Sequence, residues 1–458
     1  MASISRTWAQ YTKKLSFDHI DEQTLHQAKR FIYDSFGCAL GAVTKSDVRI
    51  AEGVWTALGG EKQATLIGSG VKMPVTTAAF INGLKIRAMD YNDIYWKADP
   101  VHPSDLISGP MAIAEWKSLS GKDFLTAVVL AYELEMRMAE FAIPGIRERG
   151  WHHATLTAFV SPVVAGYLMN LSEEQLVNAI GISGSHGFTL GKVVAGKLTN
   201  MKNTAEPFAV SDGVIAALMA EGGYSGPEEV FEGKEGMFHC LGPDWDTSIL
   251  IKGLGDEEFR INQCSMKAFP TEALTHTPIG AFLTIVRENK ISYDQIDSVL
   301  VKSIERAADI LSDPAKYRPE SKETADHSLP YCLAVAAVDH AVTPDSFKEE
   351  RLKDDRIFAV IDKFKVVAEP EFEKIFPEKQ ATHVTVKTVN GDTHELRMDY
   401  PKGDPREPMT QEDLDIKFKA LATGCISEAR QNALKECIYS LESAKNLDEM
   451  MGLLTSDL

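Results

Sequence analysis

The chain has 458 residues, of which 44% are apolar and 25% charged, and its formal net charge is −18. This composition excludes a disordered or fibrous protein, and the length predicts two or three domains with a large core. The acidic balance argues against a nucleic-acid partner, because such proteins normally present a basic face.

The cysteines and the apolar runs indicate which metal sites and which cellular location to expect. Six cysteines are scattered along the chain without a CxxC pair, which argues against a zinc ribbon or an iron–sulfur cluster. The N-terminal residues have no apolar core of signal-peptide length, and no run approaches the ~18 apolar residues of a membrane span. We therefore expect a cytoplasmic protein with free thiols and no membrane partner.

Roughly the first 240 residues have the pattern of packed helices. Residues 21–42 place apolar side chains on one helical stripe. Ser120 with Asp123, and Ser172 with Gln175, form capping boxes that predict the starts of two further helices. The strand signal is weak in this part of the chain.

The pattern changes after about residue 268. Ser298–Ile304 has the composition of a strand. His383–Val389 and Thr393–Met398 flank Asn390-Gly391, which is the strongest short hairpin signal. These features predict a smaller α+β domain.

The domain organisation follows from these changes of pattern. We predict a mostly α fold, with a large helical body and a smaller α+β lid domain inserted before the C-terminal helices. The expected boundaries are 1–267 and 405–458 for the helical domain and 268–404 for the lid.

The first polar cluster lies in residues 87–105. Asp90 and Asp93 would share a face if this stretch were helical, and His102 stands in a proline-bounded segment. Polar groups in a loop between apolar helices suit a site on a rigid scaffold. They equally suit a helix cap and a turn, so the residues alone leave both interpretations open.

Two adjacent histidines, His152 and His153, form the second cluster. Neighbouring side chains cannot face the same way in regular structure, so we expect one to be buried and the other exposed. They are not a zinc motif by themselves, since helical zinc pairs need i,i+4 spacing.

Lys192, Lys197 and Lys202 follow at intervals of five residues, in a stretch with two glycines. A glycine-rich basic loop can hold an anion, but this one lacks the GxxxxGK[ST] phosphate loop. A solvated loop is the alternative interpretation.

Two further candidates lie at the expected domain junction and in the α+β part. Lys267 stands at the expected domain junction, where ligand clefts tend to form. Tyr331 follows His327 at i,i+4, and a tyrosine at such a helix start is usually a core residue with its hydroxyl satisfied. With no G-x-S-x-G, HExxH or EF-hand motif present, the remaining His, Lys, Asp and Tyr groups suit proton transfer on an anionic substrate.

Taken together and in order, these segments resemble the MmgE/PrpD family. The motifs that carry the resemblance are DYND…HPSD, GWHHAT, MKN before AVSDGVIAALMAEGGYSGP, FEGKEG, SMKAFP, TADHSLPYCLAVA and DYPKGDPREPMT. The ordered set spans about residues 5 to 425, although each motif alone is weak. The family contains 2-methylcitrate dehydratases, cis-aconitate decarboxylases and iminodisuccinate epimerases.

The resemblance implies a site, a mode of catalysis and an assembly. Carried over by motif, the candidate catalytic residues are Asp93, His102, His152, His153, Lys202, Lys267 and Tyr331. The candidate substrate-binding residues are Lys197, Lys202, Lys267 and Ser104. The family needs no metal or organic cofactor, acts on di- or tricarboxylates and forms homodimers, and we expect the same here.

The G-W-H-H element departs from the family pattern. The decarboxylase and epimerase branch resembles G-F-H-P, which places its histidine at position 152. The dehydratase branch resembles G-L-D-H, which places it at position 153. The working histidine therefore stays open at this point.

The resemblance also suggests a reaction. We expect a hydro-lyase that dehydrates 2-methylcitrate or citrate, because HPSD and TADH resemble the dehydratase branch. In this hypothesis His102, oriented by Asp93, transfers a proton, and lysines stabilise the developing negative charge. The alternatives are itaconate-forming decarboxylation of cis-aconitate, epimerisation of an iminodisuccinate-like dicarboxylate, and a non-catalytic carboxylate-binding protein.

Overall fold

The fold is mostly α-helical, with a smaller α+β part inserted before the C-terminal helices, as the sequence predicts. The computed structural model describes residues 2–195, 198–242 and 245–457. The chain divides into two compact units. The helical unit comprises Met1–Cys264 and Glu412–Leu458, and the α+β unit comprises Ser265–Gln411.

The N-terminal part of the helical unit consists of α-helices and two short hairpins. Its helices are α1 Ile4–Lys14, α2 Glu22–Ala42, α3 Ser46–Leu58, α4 Val75–Arg87, α5 Ser108–Trp116, α6 Gly121–Met138, α7 Ala154–Leu168, α8 Glu173–Gly184, α9 Met201–Glu221 and α10 Met237–Leu241. Its hairpins pair β1 Ala64–Thr65 with β2 Lys72–Met73, and β3 Tyr95–Trp96 with β4 Pro100–Val101.

The remaining elements belong to the α+β unit and to the C-terminal part of the chain. The helices are α11 His276–Glu288, α12 Glu305–Asp309, α13 Lys322–Ala325, α14 Leu329–Asp339, α15 Asp355–Ile361, α16 Pro370–Glu373, α17 Gln411–Ala422, α18 Glu428–Tyr439 and α19 Asp448–Leu453. The strands are β5 Ile296–Ser303, β6 Phe364–Ala368, β7 Thr382–Thr388 and β8 Thr393–Met398.

Side-chain caps define the starts of the predicted helices. The Ser120 and Asp123 side chains form a reciprocal capping box at the start of α6, and Ser172 and Gln175 do the same for α8. Each box satisfies backbone N–H groups that have no partner within the helix. Both predictions from sequence are confirmed.

Helices α7 and α9 approach closely because small residues and prolines adapt their surfaces. A Cβ on Gly213 of α9 would lie 2.3 Å from the Ser161 hydroxyl oxygen of α7, so only glycine fits there. Pro162 inside α7 has no N–H to donate to the carbonyl of Ala158. The Ser183 hydroxyl of α8 donates to that carbonyl instead, at 2.6 Å.

Helices α4 and α9 also pack closely, and this contact positions the site. A Cβ on Gly83 of α4 would lie 3.5 Å from Pro207 of α9 and 2.9 Å from the Ser108 hydroxyl. Arg87 ends α4 one turn after Gly83, and Glu206 precedes Pro207. The end of α4 therefore faces the first turns of α9.

The α+β unit is built on a four-stranded sheet of order β6-β5-β7-β8. β5 is parallel to β6 and antiparallel to β7, and β7 and β8 form a hairpin. Gly391 in its turn has φ +91°, a conformation that favours glycine. The hairpin predicted at Asn390-Gly391 is confirmed. Among the described residues, no helix combines the length and hydropathy needed to cross a bilayer.

Candidate active site

The loop after α4 carries the first group of polar side chains. Helix α4 ends at Arg87, and Asp90 adopts the left-handed conformation with φ +50°. Asp90 and Asp93 therefore do not share a helical face, because a turn at Asp90 ends the helical path before Asp93. The chain then forms the β3–β4 hairpin and a short 3₁₀ helix, Pro103–Ile107.

Asp93 joins the two sides of this loop. Its carboxylate accepts hydrogen bonds from the Ser104 hydroxyl at 2.6 Å and from the Ser104 N–H at 3.1 Å. Burial raises the pKa of Asp93 to about 6, although the hydrogen bonds from Ser104 act in the opposite direction. Asp93 can therefore hold or release a proton near neutral pH.

His102 is oriented by Asp93 through the main chain. Its Nδ1 atom lies 2.5 Å from the Asp93 carbonyl oxygen. A carbonyl oxygen only accepts, so Nδ1 donates and Nε2 is the basic nitrogen of the neutral ring. The orientation expected from sequence is present, but the carboxylate of Asp93 binds Ser104 instead.

A second loop brings His152 and His153 towards His102. Asp99, in the β3–β4 turn, accepts a hydrogen bond from the N–H of Ile146 at 2.8 Å, which ties the hairpin to the 145–153 loop. The ring centroids of His102 and His153 lie 5.5 Å apart. Two sequence-distant loops therefore meet at these imidazoles.

Both adjacent histidines are buried, and the prediction that one would be exposed is wrong. His152 is 2% exposed and His153 8%, and their ring centroids lie 3.9 Å apart. The two residues occupy the irregular turn before α7, where alternation of side chains between opposite faces does not apply. His152 donates its main-chain N–H to the Thr189 carbonyl at 2.8 Å, which fixes this turn.

The two histidines have different environments. The His152 Nδ1 atom accepts the N–H of Ala154 at 3.2 Å, so a neutral His152 carries its proton on Nε2. Burial and the neighbouring His153 lower the pKa of His152 well below its usual range. His152 is therefore neutral near pH 7, and His153 is the better placed of the two to exchange protons.

Glu206, which is not among the residues predicted from the sequence, lies against both histidines. Its Oε1 atom is 2.5 Å from His153 Nε2 and 3.7 Å from His152 Nδ1, and its Oε2 atom is 3.9 Å from Arg87 Nε. Burial alone would raise the pKa of Glu206, but the two histidines and Arg87 outweigh it and lower the pKa well below its usual range. Glu206 is therefore ionised. The one available signal was its position four residues after Lys202 on a helix.

Lys202 lies in the first turn of α9 and is 2% exposed. Its Nζ atom is 3.1 Å from Asp90 Oδ2, and Asp90 Oδ1 is 2.5 Å from an Arg87 Nη atom. Lys202 and Arg87 therefore share one carboxylate. Lys197 lies outside the described residues, and the exposed Lys192 donates to the Ala195 carbonyl at 3.2 Å.

Further carboxyl groups surround this cluster. Glu135 accepts the Thr157 hydroxyl at 2.8 Å, and burial raises the pKa of Glu135 to about 8. Asp105 lies 3.6 Å from Arg87 and accepts from Asn92 at 2.9 Å, and burial raises its pKa well above the usual range. Glu135 therefore keeps its proton near neutral pH, and burial also favours the neutral form of Asp105. The cluster is less negative than its residue types suggest.

His152, His153 and Glu206 also meet the simplest criterion for a metal site, since their ligand atoms lie within 4.8 Å of one another. Two ligands of one zinc ion, each about 2 Å from it, are typically more than about 3 Å apart. The 2.5 Å between His153 Nε2 and Glu206 Oε1 is shorter than that. The arrangement fits a hydrogen-bonded acid–base cluster better than a coordination shell.

The other two predicted site residues belong to the α+β unit. Lys267 is 2% exposed, and the preceding Met266 donates its N–H to the Gly403 carbonyl at 3.0 Å. Gly403 has φ +98°, and a Cβ there would lie 1.9 Å from the Met266 carbonyl oxygen, so glycine is required for this anchor. Tyr331 is fully buried and donates its hydroxyl to the Ser346 carbonyl at 2.9 Å.

The helical unit thus defines a buried acid–base cluster of histidines, carboxyl groups and a lysine. The MmgE/PrpD N-terminal domain family matches residues 6–249, and the MmgE/PrpD C-terminal domain family matches residues 269–443. The chain belongs to the MmgE/PrpD family.

The chain is similar to cis-aconitate decarboxylases and to 2-methylcitrate dehydratases along most of its length. It is 26% identical to the cis-aconitate decarboxylase-like protein oryM of Aspergillus oryzae, over 100% of this chain and 98% of that protein. It is 24% identical to the human cis-aconitate decarboxylase, over 99% and 95% of the two chains. It is 26% identical to the 2-methylcitrate dehydratase of Salmonella typhimurium, over 86% and 83%.

Proposed function

We propose that this protein is a lyase that dehydrates 2-methylcitrate or citrate to the corresponding cis-aconitate-type alkene, with its own side chains as proton carriers. The family and the dehydratases among the relatives support a reaction of this class. The substrate is proposed from the resemblance of HPSD and TADH to the dehydratase branch.

The observation that carries the proposal is the pair of imidazoles of His102 and His153. Their ring centroids lie 5.5 Å apart, and each ring has one nitrogen against a protein oxygen. Dehydration needs a base for the C–H proton and an acid for the departing hydroxyl group. Two oriented imidazoles supply both functions, whereas a single one would have to serve twice.

In this mechanism one imidazole takes the proton from the carbon next to a substrate carboxylate. The electron pair of that C–H bond forms the double bond, and the hydroxyl leaves as water with a proton from the other imidazole. The intermediate charge needs positive groups nearby, because such a C–H is a very weak acid. Lys202 at the start of α9 is the candidate in the helical unit, and the N-terminal end of that helix adds a favourable dipole.

Lys267 and Tyr331 are the remaining candidate catalytic residues, and both are proposed from the resemblance to the family motifs. Both are anchored in the α+β unit, Lys267 by the Met266–Gly403 contact and Tyr331 by its bond to Ser346. We propose Lys267 as a second group that binds or stabilises a substrate carboxylate. A buried lysine provides a compact positive charge for this purpose.

Decarboxylation of cis-aconitate is the second candidate. The extent of the alignments favours it, because the cis-aconitate decarboxylases align over 97–99% of this chain and the 2-methylcitrate dehydratases over 82–86%. In that reaction carbon dioxide leaves first, and one acid then protonates the carbon. Only one proton carrier is needed, which would leave the second imidazole without a step.

A panel assay tests the proposal. Purified protein is offered 2-methylcitrate, citrate, cis-aconitate and iminodisuccinate in separate reactions, and the products are identified by NMR. Loss of water from either hydroxy acid supports the dehydratase. Itaconate from cis-aconitate supports the decarboxylase instead. No reaction with any of the four compounds favours a carboxylate-binding protein. Light scattering on the same sample tests the homodimer implied by the resemblance.

A further inference from the structure

Glu206 is a buried charged group of the cluster that the mechanism above does not use. It lies on α9, one turn after Lys202, and is 1% exposed. Its contact with His153 Nε2 is 2.5 Å, and its other oxygen faces Arg87 at 3.9 Å. A side chain this deeply buried and this close to an imidazole restricts how that ring can turn.

The surroundings of Glu206 determine whether its carboxyl group is protonated or ionised. The titratable and charged groups that face it from the packed elements are Arg87 at the end of α4, Asp105 in the 3₁₀ helix, Glu135 on α6 and His152 and His153 before α7. Arg87 is the permanent positive charge among them, while Glu135 and Asp105 favour their neutral forms. Glu206 therefore stays ionised, and an ionised carboxylate with a low pKa is too weak a base to remove the substrate proton.

We propose that Glu206 is a positioning residue that holds the ring of His153 with its proton on Nε2 and leaves Nδ1 as the nitrogen that exchanges protons. The proposal rests on the proposed function, in which His153 is one of the two proton carriers. A carboxylate at one ring nitrogen selects the tautomer and the orientation of a histidine and stabilises its protonated form. Because Glu206 and Lys202 share the first turns of α9, the same helix positions the proton carrier and the candidate anion-binding group.

The first test compares three carboxylate variants in the panel assay. Glu206→Gln keeps the shape and removes the charge, and Glu206→Asp keeps the charge on a shorter side chain. Glu221→Gln is the matched control, since Glu221 ends the same helix in an exposed ion pair with Lys117. We expect Glu206→Gln to lower kcat about tenfold to a hundredfold with KM nearly unchanged, and Glu206→Asp to recover part of the loss.

The pH profile separates positioning from a merely structural effect. Without the Glu206 charge a protonated His153 loses its counter-ion, so the limb of the pH–rate profile that reports His153 should move to lower pH. In a His153→Gln background, Glu206→Gln should cause no further loss of kcat, because both changes disable the same unit. An unchanged profile, or additive losses in the double variant, would overturn the proposal.

A measurement on the resting protein keeps this test independent of the reaction. Ring-nitrogen NMR of ¹⁵N-histidine-labelled protein, with His153→Gln for assignment, should show the Nε2–H tautomer of His153 in the wild type and a mixed population in Glu206→Gln. The Nδ1–H tautomer in the wild type would overturn the proposal, whatever the panel assay shows. A metal ion that is stoichiometric in the wild type and lost in Glu206→Gln would also overturn it, since Glu206 would then be a ligand.

Discussion

His102 is held by the main chain of Asp93: the imidazole Nδ1 lies 2.5 Å from the Asp93 carbonyl oxygen, while the Asp93 carboxylate binds Ser104. The orientation of His102 therefore depends on the loop conformation more than on the charge of Asp93. Since Ser104 bonds across the loop to Asp93, the serine and the aspartate stabilise the turn that presents the imidazole.

This arrangement makes His102 the clearest target for mutation. We expect His102→Ala to lower turnover at least about a hundredfold, the usual scale for a lost general acid or base. Folding should be retained, because the Asp93–Ser104 hydrogen bonds do not involve the imidazole. His239 is an exposed histidine of the same unit, and His239→Ala is the control, which should leave turnover unchanged. Near-normal turnover in His102→Ala would remove His102 from the mechanism.

Lys267 gives a second prediction, in the α+β unit. Lys267→Ala should lower turnover at least about a hundredfold, if its charge stabilises the anionic intermediate as proposed. Lys387→Ala, at an exposed position of strand β7, removes the same charge from the same unit and should leave kcat unchanged. Thermal unfolding of both variants shows whether either change disturbs the fold. Equal effects of the two variants on kcat would contradict a specific role for Lys267.

Features that depend on neighbouring residues could be predicted from the sequence. The capping boxes at Ser120 and Ser172 involve residues three apart, and the turn at Asn390-Gly391 depends on its own backbone preference. For the same reason the helical and α+β parts could be distinguished by the spacing of their apolar residues. Local signals of this kind do not require knowledge of the tertiary fold.

The candidate site could be predicted only in part, because its contacts join distant segments. The spacing of Glu206 four residues after Lys202 is equally typical of a solvated helix residue, and its partner His153 lies in another element. The burial of both His152 and His153 depends on an irregular turn that side-chain periodicity does not describe. The main-chain contact of His102 likewise depends on the backbone conformation of the β3–β4 loop, which the sequence pattern does not specify.

Glu135 predicts a pH dependence of stability. Its pKa is about 8 in the folded protein and close to 4.5 when unfolded, so its contribution to stability is complete below pH 4.5 and is lost as the pH rises through 8. Glu135→Gln removes this titration and keeps an oxygen for the Thr157 hydroxyl. Between pH 5 and 7.5 the free energy of unfolding of the variant should rise relative to wild type by up to about 3 kcal/mol. Urea unfolding at both pH values measures the difference, and a value independent of pH would contradict the shifted pKa.

Tyr331 has either a structural or a catalytic role, and one pair of variants can distinguish the two. Its buried hydroxyl donates to the Ser346 carbonyl, and Tyr317 makes the same kind of bond to the Phe364 carbonyl at 3.1 Å in a less buried place. We expect Tyr331→Phe to reduce the free energy of unfolding by about 1–2 kcal/mol, and Tyr317→Phe by less, because a buried carbonyl is left without its donor. On this contact alone kcat should change less than tenfold in both. A loss of kcat of a hundredfold in Tyr331→Phe, with Tyr317→Phe unaffected and both proteins folded, would instead assign the Tyr331 hydroxyl to the reaction, as the family resemblance implies.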